Sequence, residues 1–125
     1  MSVTSPYERA VDHMVFSASK EELTLMLYEG AIKFGNQANI AITKKDFPKA
    51  NSLILRVQDI VRELQVTLDP KYEISVNINA LYDYMYRRLV DANFGKSTEI
   101  LDEVLGLLRE FRDTWKEAMK LAKQN

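Results

Sequence analysis

Few residues in this chain are equipped for chemistry. The only histidine is His13, and Ala10 stands three positions before it. A ferritin-like di-metal bundle needs inward glutamates and a Glu-x-x-His pair on each of two helices, so that motif fails at its first position. One imidazole supplies only one of the ligands a metal site needs. There is no cysteine, which excludes disulfides, zinc–thiolate sites and thiol catalysis. The carboxylate pairs Glu21-Glu22 and Asp102-Glu103 have the positions of first-turn helix residues, favoured there by the helix dipole. General acid–base pairs need a cleft and shifted pKa values, and nothing around these pairs signals either. Tyr82, Tyr84 and Tyr86 offer phenolic groups without a partnering base. No phosphate-cradling glycine loop, dinucleotide fingerprint or nucleophile elbow is present. The chemistry therefore predicts no enzyme, no metal and no cofactor.

The elements that carry these residues read as helices. Ser19 and Glu22 have capping-box spacing, and Leu23, Leu27, Gly30, Ala31, Phe34, Ala38, Ala41 and Ile42 follow at helical steps. That helix ends near Thr43 to Lys45. Asp46 is placed to cap a second, with Pro48 in its first turn. Its stripe is Phe47, Ala50, Leu53, Ile54, Val57, Ile60, Val61 and Leu64, and Asp69-Pro70 breaks it. A third helix runs through Ile74, Ile78, Leu81, Met85, Leu89 and Ala92, with Gly95 expected as a left-handed cap. Ser97 is the expected cap of a fourth, whose stripe is Leu101, Val104, Leu105, Leu108, Phe111, Trp115, Met119 and Ala122, with a fraying tail from Lys120. The tyrosines lie at every second position of the third helix, so at about 100° per residue they point in different directions. Leu81 is expected in the core and Tyr82 at its edge. The expected architecture is all-α: one antiparallel four-helix bundle over 1–125 with a short N-terminal leader, 1–18.

Composition narrows the partners. The formal net charge is −1 over 125 residues, without the basic excess that phosphate neutralisation demands, so no nucleic acid is expected. The basic pairs Lys44-Lys45 and Arg87-Arg88 read as solvated helix surface. No apolar run approaches a membrane span and the N-terminus has no signal-peptide core. A cysteine-free chain suits the cytoplasm.

A second set of apolar residues falls outside the core stripes. The first helix has Leu25, Tyr28 and Ile32; the third has Val76, Ala80, Val90 and Phe94; the fourth has Ile100, Leu107 and Ala118; the second has only Leu55 and Val66. Single exposed apolar residues are ordinary. A set shared by several helices asks for a second partner: the leader folded back, another copy of the chain, or a foreign amphipathic segment in a groove.

Several segments are similar to the flagellin-specific secretion chaperones of bacteria. Ser5-Pro6-Tyr7 resembles that family's N-terminal motif. Phe16-Ser17-Ala18-Ser19, Leu23 and Met26-Leu27-Tyr28-Glu29-Gly30-Ala31-Ile32 resemble its first-helix signature. Leu64 and Leu68-Asp69 fit the end of its second helix, and Val104, Leu107-Leu108, Trp115 and Met119 its fourth. Leu81-Tyr82-Asp83-Tyr84-Met85, Arg87-Arg88-Leu89 and Ala92-Asn93 resemble its third-helix signature. Lys20 departs from the family, which often has proline there, and 71–73 lack a glycine often found in that loop. The resemblance implies a cytoplasmic chaperone that binds the disordered C-terminal segment of flagellin, prevents premature polymerisation and aids delivery to a flagellar export gate component. It adds Tyr82, Tyr84, Arg88 and Asn93 to Tyr7, Leu25, Tyr28, Ile32, Val76, Ala80, Val90, Phe94 and Leu107 as expected flagellin contacts. Tyr7 has a second reading, folded back on an empty groove. The alternative function is a self-associating helical scaffold, and a homodimer without cargo is left open.

Overall fold

The computed structural model describes residues 19–124. They form four helices, α1 Lys20–Thr43, α2 Phe47–Thr67, α3 Ile74–Gly95 and α4 Thr98–Gln124. Local chemistry sets the boundaries. Ser19 Oγ accepts from the Glu22 N–H at 3.2 Å, and an Asp46 carboxylate oxygen accepts from the Lys49 N–H at 3.3 Å. Ser97 Oγ accepts from the Ile100 N–H at 3.1 Å. Each cap satisfies an N–H that the helix itself leaves orphaned.

The links between helices are short. α1 closes with a Schellman arrangement: the Asp46 N–H reaches Ala41 O and the Lys45 N–H reaches Ile42 O, with Lys45 left-handed at φ 61°. In the next link an Asp69 carboxylate oxygen accepts from the Lys71 N–H at 3.1 Å, and the Asp69 carbonyl accepts from Ser75 Oγ at 2.6 Å. No residue of 69–73 has a positive φ, so this loop closes without needing a glycine.

Short links make sequential neighbours antiparallel, and cross-helix bonds confirm it. On the α1–α4 seam, Asn39 pairs with Asp102, Asn36 with Arg109, Glu29 with Arg112, and the Glu21 carbonyl with Trp115 Nε1. On the α2–α3 seam, Asn51 pairs with Asn93, Arg62 with Asp83 and Gln65 with Asn79. In both, one number rises as the other falls. Each helix packs against two others, in the ring α1–α2–α3–α4, which leaves α1 opposite α3 and α2 opposite α4. The core is mostly aliphatic, with Ile54, Val57, Val61, Leu64, Met85, Leu89, Leu101, Val104, Leu105 and Leu108 fully enclosed together with Tyr82. Gly35 belongs to this packing, because a Cβ on it would overlap the Leu105 side chain.

Several expectations are corrected. Tyr82, expected at the edge, is 2% exposed, whereas Leu81, expected in the core, is 40% exposed. The buried stripe of α3 is Tyr82, Met85, Leu89 and Ala92, an equally helical spacing, and the long phenol reaches the bundle axis. Tyr28 and Ile32, expected off the core of α1, are 5% and 6% exposed. α1 is covered by α2 on one side and α4 on the other, so its buried arc is about half the wheel and takes in what a single stripe leaves out. Phe47, expected in the core of α2, is exposed because it opens the helix at the bundle's end. The left-handed cap of α3 is Lys96 at φ 49°, one residue beyond Gly95. α4 is helical to Gln124, through most of the tail expected from Lys120.

Candidate interaction surface on α3

The side chains that outline the surface are those left outside a complete core. On α3, steps of about 100° place Val76, Ala80 and Phe94 on the face turned away from Met85 and Leu89. Val76 is 73% exposed and Phe94 is 95% exposed. Val90, also exposed, lies on the α2 side of the same helix.

Polar clips close some stretches of the seams and leave others apolar. At the α2–α3 seam, Arg62 lies 3.6 Å above the Tyr86 ring and 3.1 Å from Asp83, while Gln65 donates to Asp83 and Asn79 at 2.9 Å each. Hydrogen bonds from Gln65 and then Arg62 hold the Asp83 carboxyl below the usual carboxylate range. At the opposite end of that seam Asn93 donates to Asn51 at 2.8 Å, and Lys96 Nζ donates to the Asn93 carbonyl and side-chain oxygen at 2.6 and 2.9 Å. Beside the Asn93 clip lies an open hollow of about 450 Å³, lined by Leu55, Gln58, Val90 and Phe94 together with Asn51, Asn93 and Lys96. A few hundred Å³ with mixed apolar and polar lining is within the size range of a binding pocket.

At the α3–α4 seam one carboxylate gathers two donors. The Tyr84 hydroxyl donates to Glu103 at 2.9 Å and Arg88 Nε donates to the same oxygen at 3.0 Å, with Asp91 3.2 Å from Arg88. The Tyr84 and Arg88 bonds hold the Glu103 carboxyl low, and Glu103 in turn holds the Tyr84 hydroxyl up. Leu107 lies half-buried on the α3 side of α4, between Glu103 and Phe111 in helical sequence. Below the clip the seam carries Leu81, which is exposed, and Ile74 in the first turn. Two apolar stretches thus flank α3 on opposite sides, one near each end; of the outward residues Val76 and Ala80 stand toward its start and Phe94 at its end, with the exposed Arg87 between them.

The expected contact residues divide accordingly. Val76, Ala80, Val90 and Phe94 lie on the surface, and Tyr84, Arg88 and Asn93 lie beside it, each with a partner on a neighbouring helix. Leu25 is half-buried on the α4 side of α1, away from α3. Tyr28, Ile32 and Tyr82 are interior. Tyr7 and His13, with the leader motif, lie outside the described residues. Leu81, Asn51, Gln58 and Lys96 also border this surface without having been expected there, and Leu55, expected only as an apolar residue outside the core, joins them. For Leu55 the signal was present, an apolar residue on the polar side of α2; for Leu81 the core spacing hid it.

Among the described residues no group of three or more His, Cys, Asp or Glu is placed to hold a metal, and no described helix is long and apolar enough to cross a membrane. The described residues thus define an antiparallel all-α bundle with a closed core and apolar side chains left outside it. The model of the family described as Flagellar protein FliS matches residues 3–122. A Flagellar secretion chaperone FliS from Bacillus subtilis (strain 168) is 42% identical over 96% of this chain and 90% of its own length. The one from Escherichia coli (strain K12) is 35% identical over 87% and 82%. A solved flagellar chaperone from bacteria shares the fold, with a TM-score of 0.76 at 16% identity, covering 92% of this chain and 98% of that one. The chain belongs to the FliS family, a family of chaperones and not of enzymes.

Proposed function

We propose that this protein is a cytoplasmic export chaperone for flagellin, binding the subunit's disordered C-terminal segment, keeping it from polymerising early and helping to hand it to the flagellar export gate. Its relatives are named flagellar secretion chaperones, and a secretion chaperone must hold a chain that has not yet folded. The observation that carries the reading is Phe94, 95% exposed in line with Val76 and Ala80 on a helix whose opposite face is already packed. A disordered segment loses entropy when it orders. Burying a large apolar side chain returns about 1.5–3 kcal/mol, so several contacts along α3 offset the ordering of a short amphipathic segment. The two apolar stretches suit a cargo that crosses α3 from the α4 side to the α2 side. No step needs a nucleotide or a metal.

Purified flagellin seeded to polymerise, followed by light scattering with increasing amounts of this protein, tests the function. The expected result is suppression that saturates, lost with Phe94→Asp. Undiminished polymerisation with excess protein would contradict the proposal and leave the self-associating scaffold as the better reading.

A further inference from the structure

Tyr28 and Tyr82 meet where helices do not. α1 and α3 are diagonal in the bundle and pack against α2 and α4, not broadly against each other, yet the two phenolic hydroxyls are hydrogen-bonded across the interior. Both rings are enclosed, and Phe111 of α4 packs edge-on against Tyr82 with centroids 5.8 Å apart and planes at 65°. Burial pushes both hydroxyls up, so both stay protonated at neutral pH.

The other side-chain bonds from α3 to its neighbours lie on its flanks and include exposed groups: Asn79, Asp83 and Asn93 toward α2, Tyr84 and Arg88 toward α4. Exposed polar pairs hold geometry weakly. The rest of the α3 core contact, Met85, Leu89 and Ala92, is apolar and tolerates small rotations of the helix. A directional bond in a low-dielectric interior does not. Tyr82 also lies about 120° or more around the wheel from Val76, Ala80 and Phe94, so what fixes Tyr82 fixes where those three point.

We infer that the Tyr28–Tyr82 pair is a pin that sets the rotation of α3 and so aims its interaction face, making both tyrosines positioning residues that act on cargo without touching it. The inference rests on the proposed function for its consequence in binding, but not for its consequence in the free protein.

The test compares wild type, Tyr28→Phe/Tyr82→Phe and Phe111→Leu, which removes packing beside the pin and keeps the bond. Two readouts are taken: native-state amide exchange along α3, and binding of a synthetic flagellin C-terminal peptide. The pin predicts that the double phenylalanine variant folds cooperatively, that its α3 amides exchange about tenfold faster, and that it binds the peptide roughly fivefold more weakly or worse. It predicts that Phe111→Leu loses thermal stability while binding stays near wild type. Wild-type exchange and affinity in the double variant would overturn the pin. Should the double variant not fold, Tyr82→Phe alone carries the same two expectations and the same overturning result. A wild type that fails to bind the peptide overturns the proposed function instead, and α3 exchange alone then decides the pin.

Discussion

The hydroxyls of Tyr28 and Tyr82 share one hydrogen bond inside the bundle. Among the described residues neither phenol has another hydrogen-bond partner, so each protects the other from the cost of a buried, unsatisfied polar group.

That arrangement gives an asymmetric mutational cycle. Tyr28→Phe or Tyr82→Phe alone strands one buried hydroxyl and should cost about 1–3 kcal/mol in urea unfolding, whereas the double variant should cost less than the sum. Alkali adds a second signature. The folded-state pKa values are raised by burial, so this contribution is complete below the ordinary tyrosine value of about 10 and is lost as pH rises from there toward the folded values. The double variant should lose less stability above that pH than wild type.

Ile32 and Phe94 separate interior from surface. Ile32 is enclosed, so Ile32→Asp buries an unpaired charge and should cost about 4 kcal/mol or more, a large part of a domain's total. Phe94→Asp should change thermal unfolding by no more than about 0.5 kcal/mol while weakening peptide binding. Equal thermal shifts in the two would refute this division.

The same pair shows what was legible in the sequence. Caps, breaks and the helical period were local, so Ser19, Asp46, Ser97 and Asp69-Pro70 marked the four helices correctly. Phe94 was recognisable as outward because it lies across the wheel from Met85 and Leu89. Ile32 and Tyr28 were not recognisable as interior, because that depends on α4 covering the flank of α1, a tertiary fact. Leu81 and Tyr82 offered two equally regular stripes, and only the partner across the bundle for the Tyr82 hydroxyl decides between them. The clip at Glu103 joins residues from different helices and leaves no spacing to read.

Acid should loosen the flanks of α3. Asp83 is held low by Gln65 and Arg62, and Glu103 by Tyr84 and Arg88. A lowered folded-state pKa means the contribution is complete above the ordinary carboxylate value, about 4, and is lost as pH falls through the lowered values. Carboxyl NMR titration should place both groups below their unfolded counterparts. Glu103→Gln should flatten the acid limb of stability against pH; an unchanged limb would remove Glu103 from the account.

Two glycines should respond with opposite signs. Gly35→Ala drives a methyl into Leu105 and should destabilise by about 1–3 kcal/mol. Gly106 lies inside α4 with no atom within 4 Å of an added Cβ, so Gly106→Ala should stabilise by about 0.5–1 kcal/mol. Thermal unfolding of both variants checks the close approach of α1 to α4.

The central claim, that α3 presents an apolar face to a disordered flagellin segment, is tested most directly by calorimetry and circular dichroism on one titration. The titrant is a flagellin C-terminal peptide, run at several temperatures against wild type. The account predicts saturable binding at tens of micromolar or tighter, roughly −6 kcal/mol or stronger, with a gain in helix and a negative heat-capacity change from apolar burial. No heat and no added helix at those concentrations would contradict it.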